Sequence, residues 1–257
     1  MIPEIGISRR LILLLSALLL FLGASSPVCG GETYTWTGGY KDGHPDGDGT
    51  LCWYDSGILK EKYVGTMARG KANGKGTCTW FIAPEDYEGN WVNGKEGPEE
   101  RYEGDWLNGM MHGTGIFTWP DGSRYEGEWA DDRMHGKGVF TWGDGGRYEG
   151  DWVNGSRQGK GILAEPGGER YEGDYLADEK HGKGTRTWAD GKCYEGEWVH
   201  NVETGKGVAT WANGESYAGD WASGRMNGKG TFTWADGKRY EGDFVDDRMT
   251  GQGIMTF

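Results

Sequence analysis

One spacing governs this chain. Tyr102, Tyr125, Tyr148, Tyr171, Tyr194, Tyr217 and Tyr240 stand 23 residues apart, six times in succession with no insertion. The residues around them return in register, as YEGDWLNGMMHGTGIFTW from Tyr102 and YEGEWADDRMHGKGVFTW from Tyr125. A fixed period in this range marks a repeat array. A unit this short cannot bury a core alone, so it leans on its neighbours and the chain becomes quasi-one-dimensional. Function is then to be sought in rows of equivalent residues along a surface.

With the tyrosine as offset 0, apolar residues and glycines fall at offsets 0, 2 and 4, then at 11, 13, 15 and 17. In the Tyr125 unit these are Tyr125, Gly127, Trp129, Gly136, Gly138, Phe140 and Trp142, with Glu126, Glu128, Val139 and Thr141 between them. Successive strand residues point to opposite faces, so period two argues for two short strands per unit. Nothing reads as helix. Turn residues such as Asn108-Gly109, Asn154-Gly155, Asp190-Gly191 and Asp236-Gly237 join the strands, because they accept the positive φ that hairpin connections demand. The expected register sets offset 4 opposite 13, 2 opposite 15 and 0 opposite 17. That would put Trp129 over Gly138, Gly127 under Phe140 and Tyr125 beside Trp142, each glycine leaving room for a ring to lie flat.

The units at Tyr102, Tyr125 and Tyr171 resemble the MORN repeat (membrane occupation and recognition nexus), whose consensus is close to YEGxWxNGxxHGxGxxxxxDGxx. The resemblance covers nearly all of the chain after residue 30. It implies an all-β fold, an elongated, twisted, single-layer antiparallel sheet of repeated β-hairpins, in agreement with the period-two reading.

Upstream of Tyr102 the array degrades. Trp36 opens a divergent unit with Gly38, Gly49 and Trp53, and Tyr63 opens another with Gly65, Gly74, Gly76 and Trp80. The Tyr87 unit has only 15 residues before Tyr102. It lacks most of a second strand, and a kink or register change is expected there. The organisation read from sequence is therefore 1–30 as a leader, 31–101 as divergent repeats with a truncated unit at 87–101, and 102–257 as regular repeats.

Arg9 and Arg10 precede an apolar run from Leu11 to Leu22, followed by small residues. This is the layout of a secretory signal peptide. The run is shorter than the roughly 20 residues that span a bilayer. Export is the expected destination, a signal anchor the alternative, and lipidation at Cys29 a weaker reading because Val28 fits poorly before it. The chain carries a net −13, and since Glu4, Arg9 and Arg10 give the leader +1, the remainder carries −14. That acidity opposes nucleic acid, which needs a basic surface, and broad adhesion to anionic lipid. Cys52 and Cys78, at offsets 16 and 15, should face opposite sides of the sheet, so no disulfide framework is expected. Asn154-Gly155-Ser156 is a glycosylation sequon on a hairpin loop.

Catalytic and metal chemistries find little support. His112, His135 and His181 share offset 10, but equivalent positions lie two strands apart, about 9.5 Å, whereas zinc ligands lie about 2 Å from one ion. Glu126 with Glu128, and Glu103 with Asp105, put two carboxylates on one strand face at a glycosidase-like spacing. They recur on an open face where no pocket separates their pKa values, and read as a solvated acidic surface. GKANGKG from Gly70 and GRMNGKG from Gly224 lack the spacing and hydroxyl of a phosphate loop. DGHPDGD from Asp42 has the oxygen ligands of a weak Ca²⁺ site, but reads first as a hairpin closure. No metal, cofactor or catalytic residue is expected.

What remains is the aromatic face. It comprises Tyr102, Tyr125, Tyr148, Tyr171, Tyr194 and Tyr217 at offset 0, and Trp106, Trp129, Trp152, Trp198 and Trp221 at offset 4. Phe117 and Phe140 add offset 15, and Trp119, Trp142, Trp188, Trp211 and Trp234 add offset 17. No second layer in the repeat pattern covers these rings, so either twist folds them onto each other or a partner does, and packed rings can still floor a groove. Aromatics dominate interface hot spots. The expected role is a non-catalytic scaffold that takes a peptide, a helix or a second copy of itself on this face. A membrane- or phospholipid-associated module is the alternative that the resemblance implies.

Overall fold

A computed structural model describes residues 31–82 and 99–257. The signal-peptide reading and the Tyr87 unit lie outside them. The described residues contain strands and turns and no helix. They divide into two compact units, one running to residue 134 and one from 135 to 257.

The first unit holds β1 (Glu32–Trp36), β2 (Gly39–Lys41), β3 (His44–Asp55), β4 (Ile58–Ala68), β5 (Lys71–Phe81), β6 (Glu99–Leu107), β7 (Met110–Thr118) and β8 (Arg124–Ala130). β1 and β2 both pair with β3, and from β3 to β8 each strand pairs antiparallel with the next. β9 (Arg133–Thr141) opens the second unit. β10 (Arg147–Val153), β11 (Ser156–Ala164), β12 (Arg170–Leu176), β13 (Glu179–Thr187), β14 (Cys193–Val199), β15 (Val202–Thr210), β16 (Ser216–Ala222), β17 (Arg225–Thr233), β18 (Arg239–Val245) and β19 (Arg248–Thr256) follow. Again each pairs with its predecessor, giving a single-layer meander of hairpins.

The hairpin inside each repeat turns at offsets 6 and 7, both at positive φ: Asn108 and Gly109 at 55° and 86°, Asn154 and Gly155 at 52° and 89°. This is the two-residue I′ geometry whose twist matches that of the strands. So tight a turn corrects the expected register. Tyr148 lies opposite Leu163 and Gly150 opposite Gly161, and the Tyr102 unit likewise sets Gly104 opposite Gly115. Offset 2 therefore faces 13, glycine against glycine, and offset 0 faces 15. Between the turn and a bulge after offset 2, offset 4 faces 9, so the expectation erred by four residues there and by two beyond the bulge.

The glycines do leave room for a ring, but the ring is the tyrosine of the same strand. A Cβ placed on Gly104 or Gly115 would run into Tyr102, and one on Gly150 or Gly161 into Tyr148. Each phenol then donates a hydrogen bond to the carbonyl at offset 3: Tyr102 to Asp105 at 2.9 Å, Tyr171 to Asp174 at 3.0 Å, Tyr217 to Asp220 at 2.9 Å. Divergent units use the same device. Tyr63 covers Gly65 and Gly76, and the Trp36 ring covers Gly38 and Gly49 while its Nε1 donates to the Gly39 carbonyl at 2.8 Å.

No register change separates the divergent from the regular repeats. Gly76 of β5 pairs with Gly104 of β6 as Gly115 pairs with Gly127. Trp106 Nε1 donates to the Gly76 carbonyl at 3.1 Å, as Trp129 does to Gly115 at 3.2 Å. The interlock selects the register, and the 16 extra residues between the partners of the first bond do not disturb it.

The ring over the glycine pair sets a clear expectation. Gly161→Ala, which forces a methyl against Tyr148, should lower stability by about 1–3 kcal/mol as an overpacking change. Gly167→Ala, which meets open space, should stay within about 0.5 kcal/mol. Denaturant unfolding of both variants followed by tryptophan fluorescence measures the difference, and equal stabilities would refute the interlock.

Candidate functional site

The aromatic side is built as a herringbone. In the first unit Trp129 stands edge-on between two tyrosines, its ring centroid 5.4 Å from that of Tyr102 and 5.1 Å from that of Tyr125, at interplanar angles of 80° and 88°. In the second unit Trp198 stands likewise between Tyr171 and Tyr194, and Trp221 between Tyr194 and Tyr217. Each such pair adds about 0.5–1.5 kcal/mol to the area buried. Tryptophan Nε1 groups donate to the offset 13 carbonyl of the preceding repeat, as Trp198 does to Gly184 at 3.0 Å. Within each compact unit the repeats are thus cross-linked one to the next. Burial pushes up the phenols of Tyr102, Tyr148, Tyr171, Tyr194 and Tyr217, the last to about 12, so they remain donors at any ordinary pH.

This packing uses up most of the rings named from sequence. Tyr102, Tyr125, Tyr148, Tyr171, Tyr194 and Tyr217 are buried, as are Trp106, Trp129, Trp152, Trp198, Trp221, Phe117, Phe140 and Trp119. Trp142, Trp188, Trp211 and Trp234, all at offset 17, are half-buried and keep free edges. The first set forms a floor and the second a row standing on it.

Offset 9 also belongs to this face, across the ladder from offset 4, and sequence reasoning passed over it. Trp106 faces Met111 and Trp221 faces Met226. In the middle of the second unit the row changes character. Trp152 faces Arg157, Trp198 faces Glu203, and in the repeat between them both partners change, so that Tyr175 faces Lys180. Arg186 and Glu165 stand where Phe117 and Trp119 stand in the Tyr102 unit. The break is legible in the sequence as a departure from the repeat.

Cations in this break lie on rings. The Lys180 ammonium sits 5.3 Å from the Tyr171 centroid and 5.8 Å from that of Trp198. Arg186 lies 4.6 Å over Trp188, and Lys192 lies 4.4 Å from Trp188 and 5.8 Å from Trp211. Arg157, over Tyr148 and Tyr175, is fixed by Asp178 at 3.0 Å, and Arg186 by Glu169 at 2.6 Å.

The opposite face carries paired charge. Lys75 reaches Asp105 at 2.7 Å, Lys160 reaches Asp174 at 2.6 Å and Lys229 reaches Asp243 at 2.7 Å, one repeat to the next. Arg101, Arg124 and Arg147 pair with Glu103, Glu126 and Glu149 at 2.7–2.8 Å. Lys206 and the Lys229 N–H hold the Asp220 carboxyl below the usual carboxylate range. Each exposed pair contributes no more than about 1 kcal/mol. The carboxylates read as an acidic face are matched by cations along the same rows.

The remaining sequence candidates resolve as structure. Asp42 and Gly43 form a hairpin turn, and Asp46 and Asp48 accept from the Arg69 N–H and the Thr66 hydroxyl. Cys52 pairs with Lys62 while Cys78 pairs with Tyr63 one residue on, which places the thiols on opposite faces, and both are free. Among the described residues no group of three or more His, Cys, Asp or Glu is arranged to hold a metal.

One buried acid was not anticipated. Glu61 is 5% exposed and accepts a hydrogen bond from the Cys78 thiol at 3.2 Å. Burial pushes its carboxyl up to about 7 from 4.5. Since the folded state holds this proton more tightly than the unfolded chain, stability should fall as pH rises from about 4.5 through about 7, by on the order of 3 kcal/mol. Thermal melts between pH 5 and pH 8 should show the decline, and Glu61→Gln should flatten it. An unchanged slope in that variant would assign the effect elsewhere.

Stacked hairpins with a ring locked over each glycine pair define a β-repeat protein. The MORN repeat model matches residues 63–81, 87–98, 102–124, 125–147, 148–168, 171–193, 194–216, 217–239 and 240–257, more than half of the chain, and the chain belongs to the MORN repeat family. The Trp36 unit lies outside those matches although its ring covers glycines in the same way. A search of curated proteins gives no match. Among solved structures, the SAS-4 (dCPAP) TCP domain of Drosophila melanogaster, in complex with a proline-rich motif of Ana2 (dSTIL), is similar at 11% identity. It covers 73% of this chain and 86% of that one, with a TM-score of 0.32.

Proposed function

We propose that this protein is a non-catalytic interaction scaffold that accepts a peptide, a helix or a second copy on its aromatic face. MORN repeats are in general protein- and membrane-interaction repeats, which supports the class. The observation that carries the reading is the row of half-buried tryptophans, Trp142, Trp188, Trp211 and Trp234, raised on a floor of buried rings. Tryptophan with one face packed and one edge free loses little conformational entropy on binding, which is why it recurs at hot spots. The buried rings act as rigid support and the offset 17 row as the contact. A membrane-associated role is the second reading, favoured by the family and opposed by the charge of −14 on residues 31–257. We assign residues 1–30 to export, so protein recovered outside the cytoplasm should begin within residues 26–31, and intact cytosolic protein would refute it.

Changing Trp142, Trp188, Trp211 and Trp234 to leucine should weaken self-association or peptide binding by at least about tenfold while the melting transition remains cooperative. Changing Glu126, Glu149 and Glu172 to glutamine on the opposite face should leave binding within about twofold. Titration calorimetry and sedimentation on folded variants read both. Binding that survives the leucine set and fails in the glutamine set would move the interface to the charged face.

A further inference from the structure

The break in the middle of the second unit leaves a buried phenol without an acceptor and a half-buried ammonium without a counter-ion among the described residues. Tyr175 is 3% exposed, and its phenol oxygen, unlike those of Tyr171 and Tyr194 on either side, has no hydrogen-bond partner. Lys180 lies directly across the ladder from it and therefore on the same face. Its ammonium rests over Tyr171 and Trp198 and has no ion-pair partner among the described residues. Burial and the nearby Arg186 lower its pKa despite the pull of Glu165, Glu169 and Glu203. The buried phenol without an acceptor is costly to the free protein, and the half-buried ammonium across the ladder from it lacks a counter-ion among the described residues. Both are answered by one acceptor of negative charge.

The surroundings narrow what brings that acceptor. Of the neighbouring carboxylates, Glu169 is held by Arg186 at 2.6 Å, Asp178 by Arg157 at 3.0 Å, Glu165 is exposed to water, and Glu203, across the ladder from Trp198, pulls on Lys180 without closing to an ion pair. Trp188 and Trp211 keep free edges on the same face, and Lys192 lies against both rings. A ligand suited to this stretch has apolar or aromatic side chains for the tryptophans and a single carboxylate for the break. The −14 charge of residues 31–257 repels an anionic membrane as a whole, whereas one acidic side chain on an otherwise neutral segment is repelled little.

We infer that Tyr175 and Lys180 are the specificity point of the aromatic face and take the Asp or Glu side chain of a peptide segment laid along it. The inference rests on the scaffold reading and adds to it the chemistry of the partner. The flexible Lys180 side chain meets the carboxylate first and the Tyr175 hydroxyl donates a second bond. Lys180 and Tyr175 also set register, since in the Tyr102 unit these positions are Met111 and Trp106, which offer no polar contact to a sliding segment.

The test uses a random peptide library displayed on phage and selected against the full chain, with Tyr175→Trp/Lys180→Met as comparison. That double variant restores the Trp–Met pair of the Tyr102 and Tyr217 repeats, so it should fold at least as well. Selected peptides should share an Asp or Glu flanked by apolar or aromatic residues. Replacing that acid by Asn or Gln should cost about tenfold or more on the wild-type chain and almost nothing on the double variant. Peptides that bind both proteins alike with no acidic position would sink the specificity point and leave the scaffold reading standing. A library that yields no binder to either protein would overturn both. Retention of the wild-type chain, but not of the double variant, on phosphatidylserine vesicles in the absence of peptide selection would assign the two donors to lipid and overturn the proposal.

Discussion

Everything in this protein depends on a phenol ring lying flat over two facing glycines. The contact requires that both glycines lack a side chain, that they pair directly across the ladder, and that the tyrosine precede the first of them by two residues. Shift the strands by one residue and each ring loses its seat, so the contact fixes register in a sheet with only one buried face, where register is otherwise easily lost. The phenol's bond to the carbonyl at offset 3 holds the ring down at its polar end. Glycines that would ordinarily weaken a strand here are the sites that make the fold specific.

That solution to the core changes what the aromatic face can do. A single-layer sheet has no second layer to cover its rings, yet Tyr102 and Tyr148 are wholly buried because each packs against tryptophan or tyrosine edges and is seated on glycine. Rings packed in this way contribute stiffness, and a stiff floor lowers the entropic cost of binding whatever lies on it. In the proposed scaffold the contact falls to the offset 17 tryptophans and to the offset 9 row, which carries Met111, Arg157, Lys180, Glu203 and Met226. Identical positions build the array, and the proposed selectivity rests on the positions that vary.

The repeat, the strand period and the turns were legible in the sequence because each is a local property read directly from spacing. The pairing register was not. It hinges on whether the loop after offset 5 has two residues or four, and Asn108-Gly109 is compatible with either until the bulge beyond it is seen. The aromatic rows were legible as rows, but their burial depends on the angle at which neighbouring units stack their rings, which no spacing encodes. Glu61 escaped notice because it precedes the tyrosine of a divergent repeat, outside the offsets that recur. Tyr175 and Lys180 escaped for the opposite reason: the repeat around them is so regular that exceptions read as noise.

Charge follows the same division between what repeats and what does not. On the outer face lysine at offset 12 meets aspartate at offset 3 of the next unit, and arginine just before each tyrosine meets the glutamate just after it. Exposed pairs of this kind add little stability, but they keep a row of carboxylates from repelling one another along the array. Where Cys193 and Ser216 replace that arginine, Glu195 stands without its usual cation and Ala218 replaces the glutamate altogether. Ion pairs are thus arranged for neutrality wherever the surface is meant to be passive. Against that background an ammonium on the opposite face, over two rings and with no counter-ion among the described residues, departs from the paired rows. Since Lys192 over Trp188 and Trp211 departs in the same way, it is the unpartnered Tyr175 hydroxyl across the ladder that singles out Lys180 as the place to look for an acidic partner.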